Sequence, residues 1–426
     1  MRRMSAIFRN GNFTKLFIGR LFANAGDSFY MVGAMWMVYN LGGSTFYTGL
    51  AGFLTSIPRI IQFLYGPFID RWPLRRMLVT TQLTQALLLL IVPIGYAYGF
   101  LSITLILILM PIISILNQFM YPAEMAALPK VLPREQLTMG NMLFTAANQG
   151  SDAAFNALGG LLIGAIGVSS LFLINSSLFF ITAFVFSMLT VAAASTSIGT
   201  QTHAEHEKIQ IKQFMKQYGR ELTDGIKVLM QPYIKRLLAG ILIINFAGGA
   251  LMSILPEFGN GPEQYGLLMA SMAVGGILGT VLAPALRIEQ KRLGLLFIAA
   301  FLICGLLWML CSQVTSPWLA AVLFGIGWLP GGVTNVASAV FVQTLVPESY
   351  MGRVMAAISS FSGLAMPLGF LLGGALGTYW GSSSIMLLCG MLVCLVSIFW
   401  LMDPMTRRMP SLQNMDADML SRQITS

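Results

Sequence analysis

Four ionisable residues lie inside long apolar stretches of this 426-residue chain, namely Arg20, Asp27, Arg59 and Asp152. A charged side chain inside a bilayer costs roughly 2.5–3.5 kcal/mol on insertion scales, so each of these residues suggests a function. At about 1.5 Å per residue, Asp27 lies about 15–20 Å along its helix, and Arg59 lies about 16 Å from the end of the next helix. The similar depths predict an ion pair, which acts either as a structural clamp or as a switch that protonation of Asp27 opens.

A second carboxylate, Asp152, is the other candidate for binding a proton. No basic residue lies at its depth in the same stretch, and Met366 occupies the corresponding position in the second half of the chain. Isolation in an apolar setting favours the neutral form of a carboxylate, which suits proton coupling. Arg20 and Glu124 lie nearer the predicted ends of their stretches, so we expect Arg20 to extend toward the interface and Glu124 to be interfacial.

Polar and aromatic residues within the stretches are weaker candidates for lining a substrate cavity. The segment from Trp328 to Gly332 contains Pro330 and is predicted to break its helix, because such a break can free backbone groups to line a cavity. The 28 methionines and 28 phenylalanines offer adaptable apolar walls, but they suit lipid contact equally well. The predicted cavity residues are Asn24, Asn148, Asn245, Trp328 and Asn335.

Twelve membrane-spanning helices are predicted to position these residues. Hydrophobic residues make up 56% of the chain and charged residues only 10%, and a spanning helix needs roughly 20 apolar residues. Little is left for a soluble domain, so the predicted fold class is an all-α integral membrane bundle. The stretches are 16–41, 47–69, 77–100, 102–125, 138–165, 168–193, 237–258, 264–286, 293–313, 316–343, 354–378 and 382–402.

The distribution of lysine and arginine predicts how the bundle is oriented. Of 25 such residues, 23 lie in alternate connections and in the two tails, and cationic connections remain in the cytoplasm. Both termini are therefore predicted to be cytoplasmic. The net charge of +9 follows from this asymmetry and from attraction to anionic lipid, so it does not indicate binding of nucleic acid.

The chain reads as two copies of one six-helix unit. A shift of 214 residues places Pro133 on Pro347. The same shift places the two glycines at 159–160 on the two glycines at 373–374. Parallel repeats with a site between them near the midplane are one way in which transporters are built. The predicted organisation is a first half over 1–196, a cytoplasmic linker with an amphipathic helix over 197–236, a second half over 237–402 and a tail over 403–426.

The segment GPFIDRWPLRR, residues 66–76, resembles the motif between helices 2 and 3 of the major facilitator superfamily, roughly G-x-x-x-D-R-x-G-R-R. Here Pro73 replaces the second glycine, and the arginine pair comes one place late. The resemblance covers nearly the whole chain, and FRNGNFTKLFIGRLFANAGDSFY is similar to the bacterial macrolide, multidrug and siderophore exporters. It implies a conformational latch between the halves, with a role in topology alone as the alternative. The implied latch residues are Gly66, Asp70, Arg71, Arg75 and Arg76.

The resemblance implies a secondary exporter of amphipathic small molecules in the bacterial plasma membrane, coupled to protons and acting as a monomer. A dedicated exporter of a siderophore or peptide antibiotic is the first alternative, and an importer is a further one. A non-transporting membrane sensor or an intramembrane enzyme is the remote alternative. The chain lacks a G-x-x-x-x-G-K-[ST] loop for ATP, and neither histidine lies in a span, so we expect no enzyme activity, metal or cofactor.

Overall fold

The computed structural model describes residues 7–60, 72–190, 230, 232–345, 348–411 and 413, and these residues include twelve long α-helices, a short thirteenth and one 3-10 turn over Ile288–Gln290. Eight of the described helices are long and apolar enough to cross a membrane. The count of twelve spans and the cytoplasmic termini therefore stay predictions. The helices are α1 Gly11–Gly42, α2 Thr45–Ile60, α3 Leu74–Ala97, α4 Ile103–Val131, α5 Arg134–Ile166, α6 Val168–Ser187, α7 Pro232–Phe258, α8 Pro262–Ala285, α9 Leu293–Cys311, α10 Pro317–Leu345, α11 Glu348–Trp380, α12 Ser382–Met402 and α13 Pro404–Arg407.

The start of α1 is fixed by Asn10, and this sets the register of α1 against α4. The Asn10 side chain accepts hydrogen bonds from the backbone N–H groups of Asn12 and Phe13, which is the usual cap for a helix start. Its amide Nδ2 donates to the carbonyl of Val131, the last residue of α4, at 2.6 Å. The two helix ends therefore lie side by side, at the end of the bundle that the charge pattern assigns to the cytoplasm. We call this end the cytoplasmic end and the opposite one the outer end.

Helix packing in the first half recurs in the second half. Helix α1 packs against α5 and α6, and α7 packs against α11 and α12 in the same way. Helix α3 contacts α4 and α6, as α9 contacts α10 and α12, and the pair α2–α4 corresponds to α8–α10. The described helices thus form two bundles with one packing scheme, as the sequence repeat predicts.

The two bundles meet through α2 with α11 and through α5 with α8, which are equivalent pairs in the repeat. A Cβ atom on Gly160 would lie 2.0 Å from the Cα of Gly266, so α5 and α8 touch backbone to backbone. In the equivalent crossing, a Cβ on Gly374 would lie 2.7 Å from the Cα of Gly49. Only glycine permits these approaches. Because all four glycines lie near the outer ends of their helices, the halves are closed against each other at the outer end.

The predicted break at Trp328–Gly332 is wrong, because α10 continues as one helix through Pro330. One glycine of this segment, Gly332, serves helix packing instead. A Cβ on Gly332 would lie 2.2 Å from the carbonyl oxygen of Gly276, so α10 and α8 are in close contact here. The predicted linker helix over 197–236 falls almost entirely outside the described residues.

Candidate functional site

Three polar residues of α1 lie on one face of the helix, and all are at least partly buried. Arg20, Asn24 and Asp27 follow each other at spacings of four and three residues, which brings side chains to the same helix face. Arg20 and Asn24 are buried, with 9% and 2% of their surface exposed, and Asp27 is half-buried. Helix α1 therefore presents a polar stripe to the interior of the first half.

Arg20 forms an ion pair with Glu124 of α4. The Arg20 Nη1 atom lies 3.0 Å from Glu124 Oε2, and the Glu124 side chain has no exposed surface. The guanidinium also lies over the ring of Tyr121, with its carbon 5.6 Å from the ring centroid, a distance at which cation–π attraction acts. The acidic and the aromatic partner both come from one turn of α4, so these two contacts link α1 to α4.

The predictions that Arg20 extends toward the interface and that Glu124 is interfacial are therefore wrong. The error lies in the helix ends. Helix α1 begins at Gly11, and α4 continues past Pro129 to Val131, rather than ending at 125 as the apolar stretch suggests. Both charged residues consequently lie about two turns inside the bundle.

Asp27 completes this group, which we call the α1–α4 charge cluster: Arg20, Asn24, Asp27 and Glu124. Asp27 lies on the same face of α1 as Arg20, about two turns further along, and Tyr30 follows it by about one turn. The Tyr30 hydroxyl donates to the carbonyl of Met110 at 3.2 Å, which gives α1 a second link to α4. The cluster places two carboxylates and an arginine in the same region of the first half.

Two predictions stay untested: the pairing of Asp27 with Arg59, and the alternative role of Asp152 as the proton carrier. The side chain of Arg59 at the end of the described part of α2 lies outside the described residues, so the Asp27–Arg59 pair stays a hypothesis. Asp152 is placed within α5, but its side chain is likewise outside the described residues.

Amide side chains on α3, α4 and α6 are also placed in the interior of the first half, and they were not among the predicted site residues. Gln85 of α3 donates through Nε2 to Asn117 Oδ1 of α4. Gln82 and Asn175 are fully buried, and their amide atoms have no hydrogen-bond partner among the described residues. A Cβ on Gly26 would lie 3.0 Å from Asn175 Oδ1, which places this amide against α1 beside Asp27. Recurrence of polar residues on one face of α3, at 82 and 85, was the available signal.

The predicted cavity residues are spread over α1, α5, α7 and α10. Asn24 belongs to the charge cluster, Asn245 is half-buried on α7 and Asn335 is exposed on α10. The ring of Trp328 contacts Trp308 of α9 at 5.7 Å between centroids, a contact within the second half rather than between the halves. Asn148 lies in α5, and its side chain is outside the described residues. The cavity assignment for this set therefore stays a prediction.

Comparison with known proteins decides the family. The model of the Major Facilitator Superfamily matches residues 16–370 and again residues 237–418. The chain belongs to the major facilitator superfamily. Members of this superfamily are transporters and not enzymes, and the apolar helices described above identify a multi-pass protein of the bacterial cell membrane.

Relatives in the superfamily include proteins named for drug efflux. The uncharacterized MFS-type transporter YvqJ of Bacillus subtilis is 25% identical, over 91% of each chain. The multidrug efflux pump Tap of Mycolicibacterium fortuitum is 21% identical over 86% of this chain and 90% of its own length. Tap of Mycobacterium tuberculosis is 24% identical over 86% and 88%.

Solved structures share the superfamily fold. A bacterial homolog of the human lysosomal transporter Spinster, in an inward-facing and unoccupied conformation, aligns with a TM-score of 0.66 and 12% identity. The alignment covers 93% of this chain and 97% of that one. The nucleoside transporter NupG aligns with a TM-score of 0.63 and 11% identity, over 92% of this chain and 99% of its own. At these identities, the likeness shows the fold alone.

The superfamily motif between helices 2 and 3 is described only in part. Gly66, Asp70 and Arg71 lie outside the described residues, so their role as a latch stays a prediction. Arg75 and Arg76 are exposed at the start of α3. Arg75 donates a hydrogen bond to the carbonyl of Ser187, the last residue of α6, and so links two helices of its own half.

Proposed function

We propose that this protein exports amphipathic small molecules from the cytoplasm in exchange for protons. The observation that carries the proposal is the α1–α4 charge cluster, since the Arg20–Glu124 ion pair is buried inside a transporter half, with Asp27 on the same face of α1 as Arg20. Export of varied amphipathic molecules is supported by the relatives that are named multidrug efflux pumps. Their identity to this chain is low, so they support the class of substrate and not a particular compound.

The physical argument starts from the cost of a buried charge. An ionised carboxylate without exposed surface is tolerated because its partner is close, and removal of one partner of such a pair is strongly destabilising. Protonation of Glu124 removes its negative charge while Arg20 stays charged, so it weakens the attraction between α1 and α4. A proton therefore changes the relative stability of two arrangements of these helices, which is the requirement for coupling to a conformational change.

The conformational change itself involves the contact between the halves. At the outer end, α5 with α8 and α2 with α11 must separate for a site between the halves to open outward. The predicted latch over 66–76 lies at the cytoplasmic end, where it would hold the halves together in the outward-open state. Protonation within the first half shifts the balance between these two closures, with Glu124, Asp27 and Asp152 as candidate proton carriers.

Transport into inside-out vesicles with an imposed pH gradient tests the proposal. Vesicles containing the protein are screened with toxic amphiphiles, siderophores and peptide antibiotics, while substrate uptake and proton movement are recorded together. We expect uptake of several unrelated amphiphiles that requires the gradient and releases protons from the vesicle interior. Uptake of one metabolite class alone would instead identify a dedicated exporter, and uptake indifferent to the gradient would reject proton coupling.

Amide variants locate the coupled carboxylate. Glu124→Gln keeps the side-chain shape and removes the titratable group, so we expect retained substrate binding with loss of gradient-driven uptake. The same comparison is made for Asp27→Asn and Asp152→Asn. Glu135→Gln, at an exposed position in the first turn of α5, is the matched control and should transport like wild type. Full proton coupling in all three interior variants would refute the proposed site.

A further inference from the structure

The segment after α12 folds back onto the start of α9 and is fixed there by several contacts. Asp403 caps α13, accepting from the backbone N–H of Thr406 at 3.1 Å and from its hydroxyl at 2.7 Å. The Asp403 carboxylate also forms an ion pair with Arg236 of α7. Beyond α13, residues 292 and 411 form an antiparallel bridge, and Leu293 N–H donates to the Pro410 carbonyl at 3.1 Å. These contacts make the segment part of the folded second half.

A cavity of about 540 Å³ lies between this segment and the α8–α9 connection, at the cytoplasmic end. Two arginines line it, one from each side of the backbone bridge. Arginine presents paired N–H donors in a planar fork, which fits the oxygens of a phosphate group. The lining residues are Gln290, Arg292, Arg408, Pro410 and Ser411.

The surroundings of the cavity carry an excess of positive charge. Three further cationic residues, Arg287, Lys291 and Arg407, are exposed beside the lining arginines, against one acidic residue, Glu289. Among the residues that the structure describes, none of these five cations forms an ion pair. The nearby carboxylate of Asp403 is already paired with Arg236 and does not offset them. The cavity is therefore suited to an anion.

Exposed apolar side chains next to the cavity point to a lipid anion rather than a soluble one. Leu286 and Leu295 each have 41% of their surface exposed, and Met402 has 76%. They lie at the ends of α8, α9 and α12 from which the segments lining the cavity continue, where apolar helix surface gives way to basic residues. Such a boundary is expected at the level of the phospholipid headgroups, and basic pockets between helices on the cytoplasmic side suit anionic headgroups.

We propose that this cavity is a binding site for an anionic phospholipid of the cytoplasmic leaflet. Arg292 and Arg408 bind the phosphate oxygens, and the acyl chains pack against the exposed apolar side chains around the cavity. The bound lipid joins the α8–α9 connection to the segment after α12, and so stabilises the second half. The site is independent of the proposed transport function, since it shares no residue with the charge cluster.

Lipid binding to the purified, delipidated full-length protein tests the site. Native mass spectrometry and thermal unfolding are measured with phosphatidylglycerol, with phosphatidylcholine and with glycerol phosphate. We expect phosphatidylglycerol to remain bound and to raise the unfolding temperature, with little effect of the other two. Equal effects of phosphatidylglycerol and phosphatidylcholine would overturn the proposal, and displacement of the lipid by glycerol phosphate at similar concentration would identify a soluble anion site instead.

Charge-matched variants distinguish lipid binding at this specific site from general electrostatic attraction to anionic lipid. The change of Arg292→Gln with Arg408→Gln is compared with Arg9→Gln and Arg134→Gln, which remove two exposed arginines at the same end of the bundle. We expect affinity for phosphatidylglycerol to fall roughly fivefold or more beyond the control. An equal fall in both variants would refute the site. If the glutamine variant fails to fold, Arg292→Lys with Arg408→Lys, which keeps the charge but loses the fork, must still weaken binding.

Discussion

At the scale of single residues, Glu124 shows how a charge is accommodated inside an apolar helix bundle. Its carboxylate is fully buried, and Arg20 of a neighbouring helix lies 3.0 Å away. The sequence alone revealed both residues, but not their pairing, because the pairing depends on where two helices end. The apolar stretch suggested that α4 ends at 125, whereas the helix continues past Pro129 to Val131.

We predict that Arg20 and Glu124 are energetically coupled. Arg20→Ala or Glu124→Ala leaves an uncompensated buried charge and should destabilise the protein by ~3–5 kcal/mol. The double variant should cost less than the sum of the two, because it removes both charges. Unfolding in detergent micelles measures the three costs. Arg9→Ala and Glu289→Ala, at two exposed positions far apart in the chain, should be additive, and additivity of the Arg20 and Glu124 changes would show that the pair does not interact.

We predict that the Asp403 carboxyl makes the stability of the folded protein depend on pH. Burial raises the pKa of its carboxyl, but hydrogen bonds from Thr406 and Arg236 outweigh burial and hold the pKa below its usual value of 3.8. A carboxyl with a lowered pKa in the folded state stabilises that state above the unfolded pKa, and the contribution is lost as the pH falls through the lower value.

The variant Asp403→Asn isolates this charge, because asparagine caps a helix about as well as aspartate. We expect it to unfold at a lower temperature than wild type at pH 7, with a difference that shrinks as the pH falls below about 3.8. Thermal unfolding over a pH series provides the measurement, and Glu289→Gln in the exposed α8–α9 connection is the control. A difference that is constant with pH would mean that the carboxyl is not stabilised in the folded state.

At the scale of helices, the paired glycines of the repeat acquire a physical role. The first of each pair faces its own half, since a Cβ on Gly159 would meet Phe29 of α1, and one on Gly373 would meet Ala250 of α7. The second of each pair faces the other half, at the crossings of α5 with α8 and of α11 with α2. The sequence predicted the equivalence of the pairs from their offset, but not that adjacent glycines serve two different contacts.

We predict that a disulfide across α2 and α11 stops transport. The hydroxyls of Ser44 and Thr378 lie 2.7 Å apart at the outer end, so cysteines at both positions are close enough to bond. Oxidised Ser44→Cys/Thr378→Cys protein should hold the outer end closed and lose substrate uptake in vesicles, and reduction should restore it. Each single cysteine variant is the control. Undiminished uptake by fully cross-linked protein would show that this contact does not open during transport.

Helix types and approximate bounds were predictable because apolar stretches of spanning length have few alternatives in a bilayer. The exact ends of the helices and the breaks within them were not predictable, as Pro330 shows. The sequence interpretation gave this proline the role of a helix break, but neighbouring glycines allow α8 to pack against α10 there, and the helix stays continuous. The buried amides at 82 and 175 escaped notice because polar residues without charge interrupt an apolar stretch only weakly.

At the scale of the whole molecule, the orientation of the bundle follows from charge alone and awaits a direct test. We expect cysteines at Ser44, Val168 and Trp380 to react with a membrane-impermeant maleimide on intact cells, because they lie at the end that lacks lysine and arginine. Cysteines at Pro73, Gln210, Glu289 and Met415 should react only in inside-out vesicles.

The four native cysteines should contribute little background signal to this labelling. Each has 8% or less of its surface exposed, so unmodified protein should take up little reagent from either side. The structure adds a constraint that the charge pattern lacks, since Ser44 contacts Thr378 and must share a side of the membrane with the end of α11. Labelling of Ser44→Cys and Trp380→Cys from opposite sides would therefore contradict the fold. Labelling of both from the cytoplasm would retain the fold and reverse its orientation, and with it the direction assigned to transport.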